Sequence, residues 1–78
     1  MFAAIDDGTI CGAVYGLGAT GPAAIRDAQR WSGDLGAAYR VVKISEAAAV
    51  YVRESGGAPS PRLCVRASGV SLADEVAP

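Results

Sequence analysis

Residues 14–31, VYGLGATGPAAIRDAQRW, carry the signals from which the fold is read. They run from an apolar, β-like segment through a glycine-rich corner into an amphipathic stretch. Gly16, Gly18 and Gly21 fall at G-x-G-x-x-G spacing, and Thr20 stands where a helix N-cap belongs. Pro22 fits the first helical turn, where a missing N–H costs nothing. Ala24, Ile25, Ala28 and Trp31 form one stripe at helical spacing, with Arg26, Asp27 and Arg30 pointing the other way. A helix is therefore predicted from just after Thr20 to about Ser32 and Gly33, with Trp31 as a core anchor at the sheet edge. Two readings compete for the glycine corner: a phosphate cradle, or a tight strand-to-helix turn with no ligand.

Upstream, residues 2–5 form a short apolar segment, and Asp6, Asp7 and Gly8 have the composition of a hairpin turn. Residues 9–17 return as a second strand. Downstream, residues 39–44 read as a third strand, and Ser45 caps a second helix that runs to about Glu54. Glu46 complements the helix dipole there, and Gly56 and Gly57 stop the helix. Ala47, Ala48, Tyr51 and Val52 share its apolar face. Residues 62–67 read as a fourth strand, and Ser71 with Asp74 resembles a capping box opening one last helical turn. The order ββαβαβ predicts an α+β two-layer sandwich. Its mixed sheet has about four strands, with both helices on one face because so short a chain lacks the length to cover two. Residues 1–78 read as a single domain.

At 78 residues the chain lies near the lower limit at which one core folds without staples. It is 51% hydrophobic and 19% charged, a globular balance, although much of the apolar count is alanine. Seven basic and eight acidic residues leave a net charge of −1, which argues against generic nucleic-acid binding through bulk charge. No apolar run reaches bilayer-spanning length, and the N-terminus lacks the basic and apolar regions of a signal peptide. The expectation is a cytoplasmic protein, monomeric or weakly dimeric. Cys11 and Cys64 read as two buried thiols in a reducing compartment; a disulfide between them requires their strands to be neighbours with facing side chains.

There is no histidine, so Ser-His-Asp and Cys-His catalysis are excluded. With only two cysteines besides, a structural zinc site has too few soft ligands. The carboxylates fall mostly in turns or on polar helix faces, and no P-loop lysine follows Gly21. The chain is read as non-enzymatic, with no cofactor or metal site. Nucleotide binding through Gly16, Gly18 and Gly21, as in half of a Rossmann fold with Glu46 sought as the ribose ligand, stands as an alternative. It lacks a second half to hold the other nucleotide.

If one sheet face is open, period-two alternation decides what lies on it. Tyr39, Val41 and Lys43 fall opposite Val42 and Ile44; Arg62, Cys64 and Arg66 fall opposite Leu63 and Val65. With Tyr15 added, the candidate partner-binding residues are Tyr15, Tyr39, Lys43, Arg62 and Arg66, side-chain types that dominate interfaces. An outer helix face bearing Asp27, Asp34 and Glu46 is the competing surface. A nucleic-acid-binding module with Tyr15 and Tyr39 stacking bases on the open sheet is the remaining alternative.

In size and texture the chain resembles the small accessory proteins of phages and mobile elements that include anti-CRISPRs. A single minimal α/β domain, the segment YGLGATGPAAIRDAQRW and the lack of catalytic residues carry the likeness. Anti-CRISPRs share no common motif, so no functional residue is carried over. The resemblance implies a stoichiometric inhibitor in the host cytoplasm that binds a type I CRISPR effector subunit and blocks target DNA or nuclease recruitment.

Overall fold

Five short strands and two helices make up the computed structural model, which describes residues 1–6, 12–33 and 38–76. In chain order they are β1 (Phe2–Asp6), β2 (Gly16–Gly18), α1 (Gly21–Ser32), β3 (Tyr39–Lys43), α2 (Glu46–Ser55), β4 (Leu63–Arg66) and β5 (Gly69–Leu72). A 3-10 helix follows at Ala73–Val76. The α+β class expected from the sequence stands. The expected turn at Asp7 and Gly8, and residues 9–11 of the expected second strand with Cys11, lie outside the described residues. Over residues 12–15 that strand does not form, because Gly12 is left-handed at φ 85° and the Val14 N–H turns to the Gly57 carbonyl, and β2 begins only at Gly16.

Both helices begin as the sequence predicts. The Thr20 hydroxyl accepts from the Ala23 N–H at 3.3 Å, and the Ser45 hydroxyl accepts from the Ala48 N–H at 3.1 Å. Gly33 ends α1 in the left-handed region at φ 73°, donating its N–H to the Gln29 carbonyl.

The strands do not form one four-stranded sheet. They form a three-stranded antiparallel sheet in the order β2-β1-β3, and a separate β4–β5 hairpin. Ala3 pairs with Leu17 on one side and Val42 on the other, which fixes the register of the larger sheet. The hairpin joins it at a single parallel bridge, Ile44 to Val70, where the Ser45 N–H donates to the Val70 carbonyl at 3.0 Å. Ser71 lies inside β5 and opens no capping box; the Leu72 N–H donates instead to Glu75 Oε1 at 2.8 Å.

A second correction concerns the layers. Ala4 packs with Ala24 and Ala28 of α1, flanked by Phe2, Tyr15 and Tyr39. Ala3, Ile5 and Val42 pack instead with Ala48, Ala49 and Val52 of α2, together with Leu63 and Val70. Successive residues of β1 point to opposite faces, so the two helices cover opposite sides of the sheet. Residues 3, 4 and 5 are 0%, 0% and 1% exposed, the signature of a strand buried on both faces. Three strands of three to five residues make a sheet small enough for one helix per face.

The glycine corner resolves as helix packing. A Cβ at Gly16 would lie 2.4 Å from the Ala28 nitrogen and 2.5 Å from the Ala24 carbonyl oxygen. One at Gly18 would lie 2.5 Å from the Ala24 nitrogen. These are backbone atoms of α1, so both glycines are required for the helix to lie this close to β2. A Rossmann half would also need β2 and β3 to be adjacent, whereas β1 lies between them.

The C-terminal segment is tied back to the start of α2. The Ser45 hydroxyl donates to Glu75 Oε1 at 2.6 Å while accepting from the Ala48 N–H. The Ser45 bond, then the Leu72 N–H bond, hold the Glu75 carboxyl below the usual glutamate range.

Two predictions follow from these contacts. Gly16→Ala should destabilise the fold by about 1–3 kcal/mol or more, because the clashing atoms are helix backbone that cannot turn aside. An unchanged midpoint in thermal unfolding would show that α1 does not press on β2. Glu75 has a lowered pKa in the folded state, so its contribution is complete above the unfolded value and lost as pH falls through the folded one. Acid titration should release the Leu72 amide in that window below the ordinary glutamate range, and Glu75→Gln should remove the transition; amide exchange read by NMR checks both.

Candidate functional site

The five residues singled out from the sequence do not share a surface. Tyr15 and Tyr39 face each other with ring centroids 5.5 Å apart and pack against the alanines beneath α1. The Tyr39 hydroxyl also lies 2.9 Å from the Ser32 hydroxyl at the end of α1. Their rings therefore pack largely against the helix that covers this face of the sheet. Arg62 lies over the Tyr51 ring at 5.6 Å, and Tyr51 is bonded to Ser60 at 2.9 Å. Lys43 and Arg66 are brought together: both line a groove of ≈ 370 Å³ with Ser68 and Ser71 beside the turn of the β4–β5 hairpin.

Trp31, expected in the core, is 79% exposed. The packing of α1 supplies the reason. The inner stripe of the helix sits so close to Gly16 and Gly18 that only Ala24 and Ala28 fit beneath it. Since α1 runs back along β2, position 31 falls past Gly16, where β2 has already ended. The indole is left at the mouth of a cleft of ≈ 230 Å³ between the two helices.

This cleft has a defined wall. Leu17 lies on the outer border of β2, and its N–H donates to Asp27 Oδ2 at 3.0 Å. Asp27 thus closes that border to strand addition, and its carboxylate serves the fold more than the outer helix face. Further along, the Val14 N–H donates to the Gly57 carbonyl at 2.8 Å, which carries the loop after α2 across the segment leading into β2. A Cβ at Gly57 would come within 1.8 Å of the Val14 oxygen, so only glycine passes there. Arg53, exposed on α2, supplies the cation on the far side, and its Nη2 donates to Met1 Sδ at 3.1 Å.

Sequence reasoning missed Arg53 and Gly57 as parts of this surface. Arg53 carried no signal beyond a polar helical position. The Gly56-Gly57 pair was legible as a helix stop, and Gly56 does end α2 at φ 83°; the role of Gly57 against Val14 is a tertiary contact that no local pattern shows. Cys64 is a half-buried free thiol. Among the described residues, no group of three or more His, Cys, Asp or Glu is placed to hold a metal ion. No helix among them is long and apolar enough to cross a membrane.

Comparison with protein-family models, curated proteins and solved structures returned no match.

As the single tryptophan, Trp31 reports its own environment. Its fluorescence should be red-shifted and readily quenched by acrylamide in the native state, with little further change on unfolding. A blue-shifted, quencher-resistant emission would place the indole inside the fold.

Proposed function

We propose that this chain is a non-catalytic binding protein that docks on a protein partner through the surface around Trp31. The observation that carries this reading is the large exposed indole at the mouth of a cleft formed by Tyr15, Leu17, Asp27 and Arg53. Tryptophan, tyrosine and arginine are the side chains that most often dominate interface energies. An indole left in water by a fold that buries mainly alanine and valine is an anchor available to a partner's pocket. The site is prearranged, because Asp27 and Gly57 fix its walls with backbone hydrogen bonds.

The resemblance to anti-CRISPR proteins names the partner to test first, a type I CRISPR effector in the host cytoplasm. On that reading the chain inhibits by occupying a surface of the effector, one copy per site, and performs no chemistry. The lack of histidine is consistent with such a stoichiometric role.

Titration of the purified protein against a purified type I effector, followed by biolayer interferometry, tests the reading in two steps. Wild type should bind and compete with target DNA or nuclease recruitment. Trp31→Ala should weaken binding by about thirtyfold, the loss of one hot-spot residue of about 2 kcal/mol, while thermal unfolding stays within about 0.5 kcal/mol of wild type. Absence of binding by wild type would reject the effector as partner, and equal binding by Trp31→Ala would reject this surface.

A further inference from the structure

The opposite border of the sheet poses a different question. β3 is the terminal strand of the β2-β1-β3 sheet and meets the hairpin only beyond its own end, at the Ile44–Val70 bridge. The Ile44 N–H donates to the Met1 carbonyl, which sets the alternation along the β1–β3 ladder. Val42 and Arg40 then point their backbone groups toward β1, while Val41, midway along β3, points its N–H and carbonyl outward. Among the described residues, no strand pairs with residues 39–42 on that side.

The charge at this border has one sign. β3 reads YRVVK, with exposed Arg40 on one face, exposed Lys43 on the other, and no acidic residue. Exposed Arg66 joins Lys43 in the groove at the strand's end, and the residues lining that groove include no carboxylate. Glu75, the acidic group bonded to Ser45 at the groove's rim, is already turned onto Ser45 and Leu72. Three of the chain's seven cations thus gather at one strand border in a protein of net charge −1.

We propose that the β3 border accepts an extended, acidic segment of a partner protein by strand addition. The segment's backbone pairs with the outward N–H and carbonyl of Val41, and its carboxylates meet Lys43 and Arg66 in the groove and Arg40 on the other face. A second copy of this chain is disfavoured as occupant, because two β3 strands paired edge to edge would set these cations against their own copies. A phosphate backbone would satisfy the cations but leave the Val41 carbonyl facing an anion. This inference is independent of the surface around Trp31, which lies across the sheet beyond β2.

The probe is a labelled seven-residue peptide alternating valine with glutamate, with a valine–lysine peptide as its counterpart, followed by fluorescence anisotropy. The acidic peptide should bind and the lysine peptide should not. Val41→Pro removes the outward N–H at a border where proline is tolerated, and should weaken binding by about tenfold or more. Lys43→Glu with Arg66→Glu should weaken the acidic peptide and admit the lysine one, while Trp31→Ala should change neither. If Val41→Pro proves unfolded by circular dichroism, hydrogen exchange of the wild-type Val41 amide decides, since saturating acidic peptide should slow it. The proposal is overturned if the acidic peptide fails to bind, if it leaves Val41 exchange unchanged, or if a folded Val41→Pro binds as wild type does. It is equally overturned if Val41 is already protected in a dimer of the free protein, or if oligothymidylate binds through Lys43 and Arg66 and displaces the peptide.

Discussion

The separation between α1 and β2 is set by two missing side chains. With no Cβ at Gly16 or Gly18, the helix backbone at Ala24 and Ala28 comes down onto the strand, and whatever lies between must be no larger than alanine. Close packing of this kind maximises dispersion contact for little volume, which is how a chain with few large apolar residues still seals a sheet face. The same closeness governs the surface. It leaves no room under the helix for an indole, and it brings Asp27 within reach of the Leu17 N–H, so that the border of β2 is closed from the helix side.

On the other face the solution differs. α2 meets the sheet through Ala48, Ala49 and Val52, and the β4–β5 hairpin contributes Leu63 and Val70 to the same cluster. Ile5 is the one large side chain buried there almost completely. Two backbone contacts keep this lid in place: Ser45 to Val70, and Val14 to Gly57. Each joins residues far apart in the chain, so the lid depends on the whole fold and not on any local turn.

Much of this was legible in the sequence. Thr20 and Ser45 announced both helices, Gly33 and Gly56 ended them, and β1, β3 and β4 lie within one position of the strands expected there, whereas the strand expected over residues 9–17 meets β2 only at Gly16 and Leu17. The layer arrangement was misread although its signal was present. Residues 2–5, FAAI, show no alternation of apolar and polar residues, which is the pattern of two-sided burial. β5 was hidden because its alternation is only four residues long and its serine imitates a cap. The candidate surface was the least legible part. Lys43 and Arg66 come together in a groove beside the hairpin turn and not on an open sheet face, the aromatic rings turn inward, and Trp31 stands outside because of a helix–strand distance that no helical periodicity encodes.

Alanine also changes what ordering the interior costs. Ala3, Ala4, Ala24, Ala28, Ala48 and Ala49 are all buried, and none has a side-chain rotamer to lose, whereas long flexible side chains give up as much as about 2 kcal/mol each on burial. Most of their buried neighbours, Ile5, Val14, Val42, Ile44, Val52 and Val70, are β-branched and already restricted at χ1 before folding. The interior therefore surrenders little torsional freedom in exchange for its modest apolar area. Enlarging one of the alanines beneath α1 would add both area and torsional loss to a space that holds room for neither.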